Sequence, residues 1–228
     1  MRLIRNIPRP EIDCPFEDVY KPSDDTYLLI DYFNENVNEI YFDGLDIKKI
    51  KYILDMGTGT GIIALFLNEI KKRIVNFSPR IFASDLLENA IKCAKLNEVI
   101  NNLEKSINFI HSDLFTSFPE NLLNTFNIII FNPPYLPPLK SKNMSAKKDQ
   151  DKSWNGGEGG IELFLEFISQ VKPFINLSQK FYIYYISSSV SKFEEINDEL
   201  IKNGFKNKIL NKTHLFFEDI ILNRLEKL

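Results

Sequence analysis

A glycine-rich run, DMGTGTG at residues 55–61, constrains this chain more than any other feature of its sequence. The apolar segment Tyr52–Met56 that leads into it predicts a buried strand, and Gly61–Lys72 has the periodicity of a helix. Glycines allow a tight turn and the close approach of a ligand to the backbone, and the helix start adds unpaired N–H groups. The spacing G-x-G-x-G departs from the G-x-G-x-x-G of dinucleotide sites. Since no Gly-Lys-Ser/Thr follows, a P-loop is excluded.

Strands and helices alternate from Tyr52 onward, which indicates an α/β fold with a mostly parallel sheet. The predicted helices are Ser23–Asn36, Gly61–Lys72, Glu88–Val99, Gly160–Val171 and Lys192–Asn203. The predicted strands are Tyr52–Met56, Ile81–Ser84, Ile107–Ile110, Phe126–Phe131, Phe181–Ser187 and two within Phe205–Leu222, around Asn211–Thr213. The last two have no helix between them, so we expect an antiparallel addition at one edge. In the third helix, the buried face is predicted to hold Ala90, Ile91, Cys93, Ala94 and Val99.

The size and charge of the chain exclude several classes of protein. Its 228 residues fit one domain, and a net charge of −3 disfavours non-specific binding to nucleic acid. No run approaches the roughly 20 apolar residues of a membrane span, and no apolar region follows the first residues as in a signal peptide. We therefore expect a soluble cytoplasmic protein. Cys14, Cys93, His111 and His214 have no companions for a metal site, so none is predicted.

Acidic residues end three successive predicted strands, at Asp55, Asp85 and Asp113. Each alone could cap a helix or a turn, but the carboxyl ends of parallel strands meet in one ligand-binding crevice. The acid-then-glycines pattern resembles motif I of Rossmann-like S-adenosylmethionine (SAM) methyltransferases. That resemblance implies that Asp85 binds the ribose hydroxyls, Asp113 the adenine amino group and Asp55 the ammonium of the methionine part. The cofactor-binding residues of the glycine run are then Gly57, Thr58, Gly59 and Gly61.

A second motif, Asn132-Pro133-Pro134-Tyr135, follows the strong strand Phe126–Phe131. It suits a planar nitrogen, of an amide or an aromatic amine, whose delocalised lone pair attacks poorly. The Asn132 side-chain oxygen and the Pro133 carbonyl can accept both N–H groups of that nitrogen, while Tyr135 stacks on its plane. Pro133 and Pro134 stiffen the loop and so lower the cost of positioning. These residues are the predicted catalytic set.

The chain resembles the HemK-type methyltransferases along nearly its whole length. Val19–Leu29 (VYKPSDDTYLL) is similar to the opening of their short eukaryotic and archaeal branch, and Trp154–Gly160 (WNGGEGG) to the segment after their catalytic loop. The resemblance implies a class I methyltransferase fold, with a mostly parallel seven-stranded sheet, an antiparallel edge strand and helices on both faces. Residues 1–228 would form a single domain, whose first 50 residues are a helical extension that contributes to the cofactor pocket.

The same resemblance implies a cofactor, a substrate and a partner. The cofactor is SAM, and family members methylate the glutamine amide in the Gly-Gly-Gln motif of class I translation termination factors. A small zinc-binding activator subunit often forms a heterodimer with members of this branch. Further cofactor-binding residues implied by the resemblance are Tyr20, Pro22, Asp25, Thr26, Leu86, Leu114 and Asn132. Without the family, residues 23–26 would be interpreted only as a helix N-cap.

Other functions stay open at this point. An adenine-N6 methyltransferase acting on RNA or DNA would use the same Asn-Pro-Pro-Tyr chemistry, and some family members act on lysine. A basic loop at Lys140–Lys152 could serve a substrate bound near RNA, but its composition favours a solvated polar loop. An NAD-dependent oxidoreductase is disfavoured because Ile62 occupies the place of the third glycine of its motif and because the Asn-Pro-Pro-Tyr loop does not suit it. A scaffold without catalysis would not need Asp55, Asp85, Asp113 and Asn132.

Overall fold

The computed structural model describes residues 7–134, 161–190, 196–215 and 217–228. Its helices are α1 (Asp24–Asn36), α2 (Ile62–Arg73), α3 (Glu88–Ile100), α4 (Glu162–Val171) and α5 (Asn197–Lys202). Its strands are β1 (Tyr41–Phe42), β2 (Leu45–Asp46), β3 (Tyr52–Met56), β4 (Arg80–Asp85), β5 (Ile107–His111), β6 (Ile128–Phe131), β7 (Tyr182–Ser188), β8 (Phe205–Leu215) and β9 (Glu218–Lys227).

Seven strands form one sheet in the order β5-β4-β3-β6-β7-β9-β8. The first five run parallel, whereas β9 is antiparallel to both of its neighbours. The chain builds outward from β3 to β5 and then returns to the other side of β3 as β6. The switch point therefore lies between β3 and β6, where ligands bind in open α/β sheets. The predicted fold class, including the antiparallel addition at the edge, is confirmed.

Helices cover both faces of the sheet because its central strands are apolar on both sides. One face packs against α1 and α2, through Leu29, Phe33, Leu65 and Phe66 among others. The opposite face packs against α4 and α5, where Phe164, Phe167 and Leu200 are buried. No helix of the described ranges is long and apolar enough to cross a membrane.

The first 50 residues contribute more than helix. After α1 the chain forms the small β1–β2 hairpin, which the sequence did not predict. Asp43, in the turn of that hairpin, forms a buried ion pair with Arg224 of β9 and accepts hydrogen bonds from Tyr184 and Tyr32 at 2.7 and 2.9 Å. This polar contact ties the N-terminal segment to the sheet.

Two sequence expectations are wrong. Val99 is 55% exposed, whereas Ala90, Ile91, Cys93 and Ala94 are buried as predicted. No turn interrupts Asn211–Thr213, because β8 continues through them to Leu215 with a shift of register. These residues are polar because β8 is an edge strand with an exposed face. The motif residue Tyr135, the Lys140–Lys152 loop and Trp154–Gly160 lie outside the described residues.

Candidate active site

A cavity of about 960 Å³ opens at the carboxyl edge of the sheet. One part of its wall, the glycine end, is formed by Gly57, Gly59, Asp85, Leu86, Asp113 and Leu114. The other part, the hairpin end, is formed by Leu163, Val190, Leu215, Phe217, Glu218 and Ile220. Asn132 lies at the end of β6, beside the switch point, and lines the same cavity. The volume is at the upper limit of the roughly 300–1,000 Å³ of small-molecule sites.

The glycine run turns as its composition predicts. Gly57, Gly59 and Gly61 have φ angles of 64°, 54° and 85°, a region that other residues rarely adopt. A Cβ on Gly59 would lie 3.4 Å from the Tyr20 carbonyl, and one on Gly61 only 2.8 Å from the Ala94 Cβ. Gly57 and Gly59 therefore leave backbone exposed to the cavity, whereas Gly61 permits the close packing of α2 and α3.

Asp55 is buried beneath this run instead of lining the cavity. Its Oδ2 accepts hydrogen bonds from the Thr58 hydroxyl at 2.6 Å and from the Ala64 N–H at 3.2 Å, in the first turn of α2. Burial raises the pKa of Asp55 to about 7, although both hydrogen bonds oppose the rise. In the described contacts, this carboxyl group holds the turn in place.

Asp85, by contrast, faces the cavity from the end of β4. Its two oxygens accept from the Gly59 N–H and the Leu87 N–H, each at 2.9 Å, and burial raises its pKa. Asp113 is exposed on the same wall. Its neighbour Leu114 has a φ of 43°, an uncommon conformation for leucine of the kind that clusters at functional sites.

The start of α1 brings the N-terminal motif against the catalytic motif. The buried Asp25 carboxylate accepts from the Tyr20 hydroxyl at 2.9 Å and from the Asn132 amide Nδ2 at 3.1 Å. It also accepts from the Thr26 N–H at 2.5 Å and from its hydroxyl at 3.1 Å. Burial and the nearby Asp25 charge raise the pKa of Tyr20, so its hydroxyl stays protonated and donates.

This contact fixes the orientation of the Asn132 side chain. A carboxylate only accepts hydrogen bonds, so the NH₂ group of Asn132 must face Asp25 and its oxygen must face away. That oxygen, Oδ1, is buried and has no hydrogen-bond partner among the residues described. A buried acceptor without a donor costs roughly 1–3 kcal/mol and calls for a functional explanation.

Acidic residues outnumber basic ones around the cavity. The charged residues of its described wall are Glu17, Asp24, Asp25, Asp85, Asp113 and Glu218, against Lys21 alone. The whole chain is much closer to balance, with a net charge of −3. SAM carries a sulfonium, an ammonium and one carboxylate, so its net positive charge fits this wall. The exposed glycine backbone and the acid at the end of β4 suit the nucleoside part.

The predicted site residues divide into those that line the cavity and those that do not. The lining ones are Tyr20, Pro22, Asp25, Gly57, Gly59, Asp85, Leu86, Asp113, Leu114, Asn132, Pro133 and Pro134. Thr26, Asp55, Thr58 and Gly61 lie behind the wall, and Tyr135 is outside the described residues. The hairpin end was missed. Its one sequence signal is the pair of phenylalanines before Glu218, between two alternating segments.

Among the residues described, no group of three or more His, Cys, Asp and Glu side chains could hold a metal ion.

Comparison with known proteins agrees with this geometry. Residues 35–148 match the family described as the methyltransferase small domain. A Methanocaldococcus jannaschii protein, provisionally named a protein N5-glutamine methyltransferase, is 30% identical over 90% of each chain. The eRF1 methyltransferase catalytic subunit mtq2 of Schizosaccharomyces pombe is 29% identical over 87% of this chain and 83% of its own.

A solved structure shares the fold. It is that of the E. cuniculi Mtq2–Trm112 complex, which methylates the eRF1 termination factor. The matched chain has a TM-score of 0.58 and 22% identity, over 92% of this chain and 99% of that one.

Proposed function

Since the chain belongs to the methyltransferase small domain family, in its HemK-type branch, we propose that it methylates a glutamine side-chain amide with SAM as donor. The proposed acceptor is the glutamine of the Gly-Gly-Gln motif in a class I translation termination factor. The S. pombe relative is named for eRF1 methylation, and the M. jannaschii relative for protein glutamine. Each is related to this chain over most of its length.

The observation that carries the proposal is the buried Asn132 Oδ1, which has no hydrogen-bond partner in the part of the chain that the structure describes. A primary amide offers two N–H donors on one nitrogen, so one of them would satisfy this buried oxygen. The Pro133 carbonyl is the proposed acceptor for the second. Two accepted hydrogen bonds hold the amide plane in place and raise the electron density on its nitrogen.

The residues behind Asn132 act as positioning residues. Asp25 holds the Asn132 NH₂, and Tyr20 holds Asp25, so the oxygen is directed before an acceptor arrives. Such preorganisation lowers the barrier because no reorientation is needed as charge develops. The side-chain oxygen of Asn132 is neutral. A carboxylate at the same position would place a second negative charge beside that of Asp25.

Bound SAM supplies an electron-poor methyl group on its sulfonium. The amide nitrogen forms the new bond to carbon as the carbon–sulfur bond breaks, and one N–H proton then leaves. No strong base is required before the attack, because the nitrogen becomes acidic only once it is methylated. The chain's own contribution is therefore to bind, to orient and to exclude water.

The proposed cofactor residues are those of the glycine end, with Asp85 for the ribose and Asp113 for the adenine. Asp55 would reach the ammonium of SAM through water, since its own oxygen contacts are with the turn. We propose that residues 1–228 act as one domain, because the N-terminal motif supplies Tyr20 and Asp25 to the site.

We also propose a small zinc-binding activator subunit as a partner. The solved structure that shares the fold is likewise a complex of two proteins, Mtq2 and Trm112. Strand β5 is the outermost strand at its side of the sheet. Beside it, α3 exposes three large apolar side chains, those of Leu96, Val99 and Ile100. An open strand edge next to apolar surface is suited to pairing with another chain.

A label-transfer assay with tritiated SAM tests the proposal. The acceptors are a class I termination factor with its Gly-Gly-Gln motif, the Gln→Ala form of that factor, structured RNA and duplex DNA. Each is offered with and without a candidate zinc-binding activator. We expect label on the wild-type factor only. Label on RNA or DNA would instead assign adenine methylation, and label on both forms of the factor would assign another residue, such as lysine.

A further inference from the structure

The hairpin end of the cavity presents five apolar side chains beside Glu218, those of Leu163, Val190, Leu215, Phe217 and Ile220. It is assembled where β7 ends and the β8–β9 hairpin turns back, because β9 starts at the same edge of the sheet at which β7 ends. Its wall is continuous with Asn132 in a single cavity. A ligand that extends past the reacting amide therefore meets this wall.

The most exposed large apolar side chain of the described wall is Phe217, at the tip of the hairpin. It is 97% exposed, and Val190 beside the same cavity is 50% exposed. Aromatic side chains, phenylalanine among them, are enriched in protein–protein interfaces. Leu215 and Ile220 continue the apolar surface inward to the cavity.

The charges around this wall favour one kind of macromolecule. Glu218 lies directly after Phe217, where it accepts a hydrogen bond from the Ser188 hydroxyl. The other charged residues of the described cavity wall lie outside the hairpin end, and all of them except Lys21 are acidic. Phosphates would be repelled from such a surface, whereas basic side chains would be attracted to it. The aromatic tip is therefore better suited to a basic polypeptide than to stacking with nucleic-acid bases.

We propose that the hairpin end is a docking subsite for the basic polypeptide segment that carries the acceptor amide, with Phe217 as its apolar anchor. The proposal rests on the proposed function, because it places the rest of the substrate chain next to the amide bound at Asn132. An apolar side chain of the segment packs on Phe217 and Val190. Basic side chains of the same segment lie near Glu218.

Binding, rather than turnover, tests the subsite. The Gln→Ala form of the termination factor is titrated into the full chain in the presence of SAM, by calorimetry. Phe217→Ala should raise the dissociation constant of this factor about fivefold or more, while Phe217→Leu should restore most of the affinity. The affinity for SAM should stay unchanged in both variants.

A matched control lies on the same hairpin. Ile209 of β8 is 55% exposed and does not line the cavity, so Ile209→Ala should change neither affinity. Glu218→Gln should weaken factor binding and reduce its dependence on salt, whereas Glu104→Gln, on a distant turn, should do neither.

The outcomes separate the two proposals. If Phe217→Ala and Ile209→Ala bind the factor equally well, the proposed docking subsite is contradicted, whereas the proposed glutamine methylation is not. If Phe217→Ala weakens SAM and factor alike, the residue belongs to the cofactor site and the subsite is again wrong. If the Gln→Ala factor binds tightly but the wild-type factor receives no label in the transfer assay, only the proposed function is overturned. Binding of structured RNA in preference to the factor overturns both.

Discussion

The glycine end and the hairpin end of the cavity present different chemical groups to a ligand. The glycine end presents backbone with positive φ at Gly57 and Gly59, and the carboxylates of Asp85 and Asp113. The hairpin end presents apolar side chains, above all Phe217. Backbone geometry tolerates few residue types, whereas an apolar wall can be made from many. The glycine end therefore admits little variation in sequence, whereas the hairpin end can vary with the acceptor that we propose it binds.

The largest expected effect concerns Asn132, which stands between the two ends. Asn132→Ala should lower the rate of methyl transfer about 10²- to 10³-fold, because it removes the oxygen that orients the acceptor amide. The SAM dissociation constant, measured by calorimetry, should change little. A parallel loss of SAM affinity would assign Asn132 to the glycine end, and a rate near that of the wild type would remove it from catalysis.

The next effect follows from Asp55, the acid buried beneath the glycine run. The unfolded chain ionises Asp55 near its ordinary pKa of 3.8, whereas the folded protein keeps the proton up to a pKa of about 7. The contribution of Asp55 to the free energy of unfolding is therefore fully present below pH 4 and is lost as the pH rises through 7. Between pH 5 and 8 the free energy of unfolding should fall by roughly 2–3 kcal/mol more in the wild type than in Asp55→Asn.

Urea unfolding at several pH values measures that difference. Asp113→Asn is the control, because this residue lies exposed on the cavity wall instead of buried beneath it. Its stability should follow the wild type at every pH. If Asp55→Asn also follows the wild type, the buried carboxyl group is not the source of the pH dependence.

Sequence reasoning picks out residues where local chemistry demands particular residue types, and the roles of these residues in the site stay predictions. The glycine run, the acids after β3, β4 and β5 and the Asn132 motif all stand out because substitutes are rare. It failed where a residue's role depends on distant neighbours. Nothing local to Phe217 shows that β9 returns to the cavity, and Val99 fits a helical apolar pattern although no element covers it. The pairing of Asp25 with Asn132 joins residues 107 positions apart.

A smaller effect on stability should distinguish alanine substitutions at two glycines that have similar backbone geometry. Gly61 and Gly44 both have positive φ, near 80°, but a Cβ on Gly61 meets Ala94 at 2.8 Å while one on Gly44 meets nothing within 4 Å. Both alanine variants carry the strain of the backbone conformation. Gly61→Ala adds the clash between α2 and α3, so thermal unfolding should show it about 1–2 kcal/mol less stable than Gly44→Ala. Equal losses would mean that backbone strain alone explains the glycine.

The smallest effect is on the cofactor. Asp85→Asn should raise the dissociation constant for SAM about fivefold, because an amide oxygen is a poorer acceptor than a carboxylate for ribose hydroxyls. Affinity for the termination factor, titrated with SAM at saturation, should not change. The matched variant is Glu218→Gln at the hairpin end, for which the opposite pattern is expected. If both variants weaken the binding of SAM and of the termination factor equally, the cavity does not divide into two ends.

The most direct test of the central claim locates the transferred methyl group. The chain, with SAM and the candidate activator, is incubated with a class I termination factor, and the digested factor is analysed by fragment-ion mass spectrometry. The account predicts one added methyl on the side-chain nitrogen of the glutamine in Gly-Gly-Gln, absent with Asn132→Ala. A methyl group on a lysine of the factor, or an unmodified factor beside methylated adenine in added RNA, would contradict it.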